Sequence, residues 1–326
     1  MKDVKILITG GAGFYGSHIA TKAIRDGMNV VIIDILNSET TPRKAKELNI
    51  KNLTKLGEIH NNPIKFYESD ITNESEMISI FQNEQPSILV HAAAVAMDRR
   101  SIDHPLEFVH HNVYGSQVII NACCKTPTLQ QIIFISTRSA IGEVPGASSF
   151  IKEDDNFKPV NPYGASKAAA EGFFYSFHND YGVPLKICRM QPMYGPNCRH
   201  DMFPWRILNS IVTGEEIEKY GDGNAIRDWL YVEDAVDALF SIIDESSTFE
   251  IFNIGTGIGT STNDLIDACI KITGKKPNIK DVPILRGDAY FAGLADCKKI
   301  KSKTGWAAKI KLDEGIKITY DYIIRN

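Results

Sequence analysis

A glycine-rich turn between a short apolar run and a helix-length segment is the feature that most limits how this chain can fold. The run Lys5–Thr9 leads directly into Gly10-Gly-Ala-Gly13-Phe-Tyr-Gly16, and a second apolar run, Val30–Asp34, follows after a helix-length interval. Glycines at these positions allow a tight turn and a close approach of the following helix to the strand. The two apolar runs predict parallel strands that flank a helix.

The same alternation continues through the first half of the chain. Four further apolar runs follow, at 64–67, 87–90, 131–135 and 185–188. Amphipathic segments separate them, for example 74–83 and 107–124. Alternating runs of these two kinds predict a doubly wound parallel α/β sheet of the Rossmann type.

The second half of the chain is less regular. Prolines and glycines interrupt it after residue 188, and helical stretches are predicted near 203–213 and 263–273. No linker separates the halves, so we expect them to pack closely around a cleft. We predict a Rossmann domain over 1–188 and a smaller, interleaved α/β substrate-binding lobe over 189–326.

The composition excludes several classes of protein. With 43% hydrophobic residues, 23% charged residues and a net charge of −4, no general attraction to nucleic acid or to an acidic membrane is expected. The first apolar run is too short for a secretory signal and none is long enough to span a membrane, which predicts a cytoplasmic protein. The six cysteines lack metal-binding spacing, so we expect reduced thiols and no metal site.

The residues around the glycine turn have the pattern of a dinucleotide site. A pyrophosphate could approach the N-terminus of the helix that follows the turn. Asp34 ends the second run, where a carboxylate can accept hydrogen bonds from an adenosine ribose and repel a 2′-phosphate, so NAD is favoured over NADP. Alternatively, Asp34 is a solvated strand end. The small residues after the fourth run would leave room for the cofactor or allow close helix packing.

A tyrosine and a lysine spaced four residues apart form the second chemical signal. Tyr163 and Lys167 would share one face of a helix and could act on the same proton. A free tyrosine has a pKa near ~10, and a nearby ammonium and a positively charged nicotinamide would lower it. By itself the spacing is a weak signal, because chance also produces such pairs.

Taken in order, these motifs resemble the extended short-chain dehydrogenase/reductase family over nearly the whole chain. The C-terminal half adds Tyr194-Gly-Pro, Gly221-Asp-Gly and Tyr231-Val-Glu-Asp234, which look like the nucleotide-sugar epimerase/dehydratase branch of that family. The residues expected to contact the cofactor are Gly10, Gly13, Phe14, Tyr15, Gly16, Asp34, Asn37, Asp70, Ile71, Ala92, Ala93, Ala94, Tyr163 and Lys167.

The resemblance implies a mechanism and three catalytic residues: Thr137, Tyr163 and Lys167. Tyr163 would remove the proton from the C4 hydroxyl of a sugar while hydride passes to NAD, and Thr137 would polarise the same oxygen. Lys167 would lower the pKa of Tyr163 and bind the nicotinamide ribose. The dehydratases of the family carry Asp-Glu after the threonine, and Arg138-Ser139 stands there instead, which disfavours dehydration.

Among the epimerases, the chain looks most like UDP-glucuronate 4-epimerases. Two positions depart from the family pattern: Ile141 replaces the usual tyrosine, and Pro192 replaces a polar residue that would donate to the sugar. Arg138 could compensate, since a guanidinium binds a carboxylate in a forked geometry, or it could be a surface or ion-pairing residue. The predicted substrate-binding residues are Arg99, Arg138, Arg199, Arg227 and Arg286, and each could instead form a structural salt bridge.

The favoured function is therefore an NAD-dependent UDP-sugar 4-epimerase that interconverts UDP-glucuronate and UDP-galacturonate through a 4-keto sugar. The alternatives are a UDP-glucose 4-epimerase, a net-redox enzyme such as a nucleotide-sugar reductase or decarboxylase, and a non-enzymatic NAD-binding regulator. In the family two long helices often form a dimer bundle, so a homodimer is expected.

Overall fold

The computed structural model describes residues 4–38, 41–142, 149–284 and 293–325. Its centre is a seven-stranded parallel sheet. The strands are β1 (Lys5–Thr9), β2 (Asn29–Asp34), β3 (Lys65–Glu68), β4 (Ile88–His91), β5 (Gln131–Thr137), β7 (Leu185–Met190) and β12 (Phe249–Ile254). They lie in the order β3-β2-β1-β4-β5-β7-β12. The predicted doubly wound α/β fold is confirmed, and six of these strands coincide with the six predicted apolar runs.

The helices that connect these strands are α1 (Phe14–Arg25), α2 (Arg43–Ile59), α3 (Glu74–Glu84), α4 (Asp98–Asp103), α5 (Pro105–Phe108), α6 (Gly115–Cys123) and α7 (Pro162–Tyr181). The amphipathic stretch predicted over 107–124 is interrupted, because a π-helical segment, Val109–Tyr114, joins α5 to α6. A π-helical turn of this kind is often found at a functional site. A short 3₁₀ turn, Arg138–Ala140, follows β5.

Both faces of the sheet are buried, which explains the apolar character of its strands. Ile6 and Ile8 belong to the core on one face, whereas Leu7 between them belongs to the core on the other face. Val31 and Ile32 divide in the same way. Successive side chains of a strand point to opposite faces, so a continuous apolar run is needed to fill both cores.

The part of the C-terminal half that the structure describes contributes five helices and several short strands. The helices are α8 (Phe203–Thr213), α9 (Val232–Ile243), α10 (Thr262–Thr273), α11 (Lys298–Thr304) and α12 (Leu312–Ile323). Short strands pair as β6 (Phe150–Ile151) with β15 (Leu294–Ala295), β8 (Met193–Tyr194) with β11 (Leu230–Tyr231), β9 (Glu216–Tyr220) with β14 (Asn278–Val282), and β10 (Ile226–Asp228) with β13 (Gly259–Ser261).

Strand β12 comes from the C-terminal half of the chain but completes the large sheet. It pairs with β7, with Phe249 beside Leu185 and Ile254 beside Met190. The two halves therefore share one sheet, and the boundary at residue 188 stays a prediction. Within the residues that the structure describes, no helix is both long enough and apolar enough to cross a membrane.

Candidate active site

One cavity of about 760 Å³ opens at the carboxyl ends of the central strands. Parallel α/β sheets bind ligands at this edge, where the chain passes from strand to helix. The cavity is lined by every predicted site residue that the structure describes: Gly10, Gly13, Phe14, Tyr15, Gly16, Asp34, Asn37, Asp70, Ile71, Ala92, Ala93, Ala94, Arg99, Thr137, Arg138, Tyr163, Lys167, Arg199 and Arg227. Arg286 lies outside the described residues.

The glycine turn packs too tightly for larger residues. Gly10 has φ of +71°, and a Cβ at this position would lie 2.9 Å from Ala93 Cα. A Cβ at Gly16 would lie 2.2 Å from Gly10 O. Gly13 precedes the first residue of α1 and provides no side-chain cap, so the helix N-terminus can offer its backbone N–H groups to an anion.

Asp34 is held rigidly at the end of β2. Its carboxylate accepts hydrogen bonds from the N–H groups of Ala12 (3.1 Å) and Leu36 (2.9 Å). The ammonium of Lys46 lies 3.2 Å from Asp34 Oδ1 and donates to Asn37 Oδ1 at 2.9 Å. Asp34 is therefore no solvated strand end, because both it and Lys46 are 5% exposed. Sequence reasoning missed Lys46, since only the folding of α2 beside β2 brings it to Asp34.

The small residues after β4 are supported from behind by a buried polar network. His91 Nδ1 lies 2.7 Å from Thr9 Oγ1, and burial lowers the pKa of His91 to about 3. Asn112, in the π-helical segment, accepts from Val95 N at 2.8 Å and donates to Val95 O and Ser166 Oγ. The wall of the cavity after β4 is thereby tied to α7.

Tyr163 and Thr137 meet in the cavity from different elements. Thr137 ends β5, and Tyr163 lies in the first turn of α7, which begins after the capping residue Asn161. The Thr137 hydroxyl lies close enough to the phenol of Tyr163 to lower its pKa, and Thr137 Oγ1 accepts from Ser139 N at 3.2 Å. The structure thus brings these two residues together in one cavity.

Burial and, to a smaller extent, the nearby carboxylate of Asp98 raise the pKa of Tyr163, while the Thr137 hydroxyl and the charges of Arg199 and Arg138 oppose this shift. The net result is a pKa of about 12. Ionisation of this phenol therefore requires further positive charge.

Lys167 is buried one turn after Tyr163. Burial lowers the pKa of its ammonium to about 7, and the carboxylate of Glu171 partly offsets that effect. Its Nζ lies 4.1 Å from the centroid of the Phe134 ring. Glu171 is itself engaged by a buried ion pair with Arg189, at 2.8 Å. Lys167 thus holds its proton less tightly than a solvated lysine does.

Asp98 is a second charged group that sequence reasoning missed. Its Oδ1 accepts from Asn161 Nδ2 at 2.9 Å, and Asn161 Oδ1 accepts from Gly164 N at 2.9 Å. The start of α7 is therefore linked to a carboxylate that lines the cavity. No motif marks Asp98, which becomes a neighbour of Tyr163 only because the loop after β4 packs on α7.

The arginines occupy different parts of the cavity. Arg138 is buried directly after Thr137 and, with Arg199, is close enough to lower the pKa of Tyr163. Arg199 forms a forked ion pair with Asp201, at 2.9 and 2.5 Å. The Arg99 guanidinium lies 3.9 Å from the centre of the Tyr220 ring, and Arg227 donates to Ile226 O at 2.8 Å. Three further lining residues that sequence reasoning missed are Arg206, Tyr220 and Trp229.

The described residues offer no candidate metal site. Among the described residues no group of three or more His, Cys, Asp or Glu side chains could hold a metal ion. All six cysteines are free thiols. His110 stacks on Tyr114 with ring centroids 5.4 Å apart.

The sheet is parallel, a glycine turn follows its first strand, and a fixed carboxylate ends its second strand. This arrangement defines a dinucleotide-binding α/β enzyme of the extended short-chain dehydrogenase/reductase class. The chain belongs to the NAD dependent epimerase/dehydratase family, which it matches over residues 6–255. The family resemblance and the prediction of NAD as cofactor are both confirmed.

Curated relatives include enzymes of different activity. A UDP-glucuronate 4-epimerase from Thermodesulfobacterium geofontis is 30% identical over 324 residues, which cover 98% of this chain and 96% of that protein. A trifunctional UDP-glucose 4,6-dehydratase, epimerase and reductase from Arabidopsis thaliana is 30% identical over 332 residues. That match covers 98% of this chain, and the chain spans about half (47%) of the plant protein.

Solved structures extend the comparison. The UDP-glucuronic acid 4-epimerase from Bacillus cereus, in complex with UDP-glucuronic acid and NAD, is 29% identical with a TM-score of 0.90, and 99% of each chain is covered. The UDP-glucose 4-epimerase from Thermotoga maritima, with UDP-glucose, is 32% identical with a TM-score of 0.87 and the same coverage. The family is therefore that of NAD-dependent nucleotide-sugar epimerases and dehydratases.

Proposed function

We propose that this protein is an NAD-dependent UDP-sugar 4-epimerase that interconverts UDP-glucuronate and UDP-galacturonate. The observation that carries the proposal is that Thr137 and Tyr163 line the same cavity, with Thr137 close enough to lower the pKa of Tyr163 and with Lys167 one helical turn away. Two hydroxyl groups from β5 and α7 then converge on one substrate oxygen, as abstraction of a hydroxyl proton requires.

The residues of the cavity fit NAD at both ends. The glycine turn and the uncapped N-terminus of α1 would hold the pyrophosphate, and Asp34 would accept hydrogen bonds from the adenosine ribose. Lys167 would donate to the nicotinamide ribose. When bound, NAD accepts a hydride from the sugar and returns it.

The protein supplies the proton transfer. Tyr163 takes the proton of the C4 hydroxyl, and Thr137 donates a hydrogen bond to the same oxygen. Because burial raises the pKa of Tyr163 to about 12 in the protein alone, formation of the phenolate requires additional positive charge. A bound nicotinamide would supply that charge, so we expect the base to be active in the cofactor-loaded enzyme. The 4-keto sugar would then rotate within the site and receive the hydride at C4 on its opposite face.

Epimerisation is favoured over dehydration by the residues after Thr137. Loss of water from C5 and C6 needs an acid and a base, whereas Arg138 and Ser139 follow Thr137 in the 3₁₀ turn. Asp98, the first residue of α4, is a carboxylate near enough to raise the pKa of Tyr163, and its Oδ1 accepts a hydrogen bond from Asn161.

A hexuronate is favoured over a neutral hexose by Arg138. This guanidinium is 7% exposed, lines the cavity and lies close enough to Tyr163 to affect its pKa. A substrate carboxylate at C6 could form charge-assisted hydrogen bonds with it, in the forked geometry that lysine cannot offer. Arg138 would then replace the donor that Pro192 cannot supply.

The nucleotide would occupy the part of the cavity formed by the C-terminal half. Arg227 is the proposed partner of the diphosphate, and Arg99 and Arg199 add positive charge along the same path. The net charge of the chain is −4, so localised cations are needed to bind UDP. The role of Arg286 stays a prediction.

The direct test is chromatography of the product. Purified protein is incubated with UDP-glucuronate, with and without added NAD, and UDP-galacturonate is expected as the only new nucleotide sugar. UDP-glucose, as a parallel substrate, tests the alternative epimerase. A folded, NAD-loaded protein that converts neither class of UDP-sugar would overturn the proposal.

A net-redox enzyme is the second candidate, because the family relatives include reductase activity. Such an enzyme would release reduced cofactor in proportion to product. Absorbance of NADH during turnover separates the two candidates, since an epimerase regenerates NAD within each cycle. A Tyr163→Phe protein with unaltered biological activity would instead favour a regulator without catalysis.

We further propose a homodimer. Large apolar side chains are exposed on the segment before α6 and on the neighbouring helix α7, among them Leu106 (81%), Val109 (52%) and Phe173 (42%). Burial of such a surface against a second copy would form a helical bundle. Sedimentation equilibrium tests this assembly, and Val109→Glu together with Phe173→Glu should give a monomer. The cytoplasmic location stays a prediction.

A further inference from the structure

The segment Gly195–Arg199 connects the substrate half of the cavity to the helices of the cofactor half. It leaves the short strand β8 and ends at Arg199, which lines the cavity beside Tyr163. Three contacts fasten it to α1 and α2. His18 Nε2 lies 3.0 Å from Pro196 O, Asn197 Nδ2 lies 3.4 Å from Ser17 Oγ, and Asn197 Nδ2 donates to Asn49 Oδ1 at 2.9 Å.

Asn49 continues this connection to the glycine turn. Its Nδ2 donates to Ala12 O at 2.9 Å, while its Oδ1 accepts from Asn197. The same Ala12 donates its N–H to Asp34. Asn49 is 8% exposed, so both of its hydrogen bonds replace bonds to water and would be costly to leave unmade. We name Ala12, Asn49 and Asn197 the asparagine bridge.

The backbone at Asn197 is adapted to this contact. Its φ is +61°, in the left-handed region that few residues other than glycine adopt without strain. Asparagine tolerates this conformation better than most side chains because its amide can bond locally. Asn197 therefore combines a backbone turn that glycine could make with a side chain that glycine lacks.

The asparagine bridge joins two segments that would contact different ligands. On one side, the turn with Ala12 lies between the residues proposed to hold the pyrophosphate. On the other side, Arg199 follows Asn197 by two residues and is oriented by its ion pair with Asp201. A displacement of either segment must break hydrogen bonds of a buried amide, so the two segments are held in a common arrangement.

We propose that Asn197 and Asn49 are positioning residues that couple cofactor binding to the substrate segment Gly195–Arg199. A cofactor bound against the glycine turn would further restrict the motion of Ala12, and the bridge would transmit that restriction to the segment that ends at Arg199. The second ligand then loses less conformational freedom, so each ligand strengthens the binding of the other. The identity of the sugar rests on the proposed function, but the coupling between the segments does not.

Asn197→Gly is the decisive variant, because it keeps the left-handed backbone and removes only the amide. Asn61→Gly is its matched control: Asn61 also has a positive φ, of +52°, and is exposed. Asn49→Ala breaks the bridge from the other end, with the exposed Asn52→Ala on the same helix as control. Because Asn197→Gly and Asn49→Ala break the bridge from opposite ends, the test remains possible if one of them does not fold.

Hydrogen exchange with NAD alone tests the coupling without any sugar substrate. In the wild type and both controls, NAD is expected to slow amide exchange in the peptide that contains residues 195–202 by about fivefold or more. In Asn197→Gly this protection is lost while the Kd for NAD stays within about twofold. Equal protection in wild type and Asn197→Gly would overturn the inference.

Binding of UDP-glucuronate gives the second readout. We expect NAD to tighten UDP-glucuronate binding by about tenfold in the wild type, within the usual range of coupling between two sites. Asn197→Gly should abolish this enhancement and raise KM more than it lowers kcat. If UDP-glucuronate does not bind the wild type but the exchange result holds, the proposed substrate is wrong and the coupling stands. If it binds with equal affinity in both proteins whether or not NAD is present, the coupling is wrong.

Discussion

The ammonium of Lys46 lies 3.2 Å from the carboxylate of Asp34, and the two side chains are 7% and 4% exposed. The residue proposed to contact the adenosine ribose is therefore a member of a buried ion pair. Two backbone N–H groups and one ammonium fix its orientation before any ligand binds. A preorganised acceptor of this kind reduces the entropy lost when a ligand binds.

Removal of Lys46 should destabilise the protein through Asp34. We expect Lys46→Met to lower the free energy of unfolding by about 3 kcal/mol, because a buried carboxylate loses its charged partner. In an Asp34→Asn background the same substitution should cost much less. Urea denaturation of the two single variants and the double variant measures this coupling, and an equal cost in both backgrounds would contradict it.

Tyr163→Phe should abolish epimerisation but preserve cofactor binding. Loss of a positioned base costs about 10²- to 10⁴-fold in rate, while the phenyl ring keeps its edge contact with Phe108 at 6.2 Å. We expect kcat to fall in this range and the Kd for NAD to change less than about threefold. A variant that retains a tenth or more of wild-type activity would remove Tyr163 from the proposed mechanism.

The ionisation of Tyr163 should depend on the cofactor. In the cofactor-free protein its pKa is raised from 10.0 to about 12, so the phenol stays protonated at neutral pH. Its proton is held more tightly in the folded state, so this contribution to stability is lost as pH rises from about 10 to about 12. Ultraviolet difference titration of wild type against Tyr163→Phe should show the transition near pH 12. NAD should move it to lower pH, and an unchanged transition would contradict the activation by positive charge.

Lys167 should reduce the stability of the cofactor-free protein. Burial lowers its pKa from 10.5 to about 7, so the unfolded chain binds the proton more tightly between these values. Stability is therefore lost as pH falls from about 10.5 to about 7. Lys167→Met removes this effect, and its gain in stability over the wild type should grow through the same window and level off below pH 7. Thermal unfolding across pH tests this, with the exposed Lys51→Met as a control that should show no such trend.

Arg138 should determine the preference for a sugar with a carboxylate. Arg138→Ser removes hydrogen bonds between charged groups, each worth about 1.5–3 kcal/mol, so kcat/KM for UDP-glucuronate relative to UDP-glucose should fall about 10- to 100-fold. Competition between the two substrates in one mixture measures the ratio directly. The exposed Arg25→Ser serves as the control for a changed net charge. An unaltered ratio would assign Arg138 to structure alone.

The order of the elements could be predicted because each local pattern has one good solution. Continuous apolar runs such as Ile6–Ile8 fold as strands with both faces buried. A glycine turn between such a strand and a helix allows the backbone segments to pack in close contact. The break in the helix predicted over 107–124 could not be predicted in the same way, because the sequence there remains compatible with a regular helix. The hydrogen bonds of Asn112 to Val95 and Ser166 accompany the π-helical turn.

By itself, the sequence determined the alternating α/β architecture and the glycine turn followed by Asp34, since short-range periodicity and motif spacing encode these features. The catalytic set of Thr137, Tyr163 and Lys167 is implied by the family resemblance and stays a prediction. Only the tertiary structure decided that Lys46 pairs with Asp34, that Asp98 lies beside Tyr163, that β12 completes the sheet, and that Asn197 reaches Ala12 through Asn49. Each of these contacts joins residues on separate elements. Their proximity depends on how helices and loops pack over the sheet, and no local pattern specifies that packing.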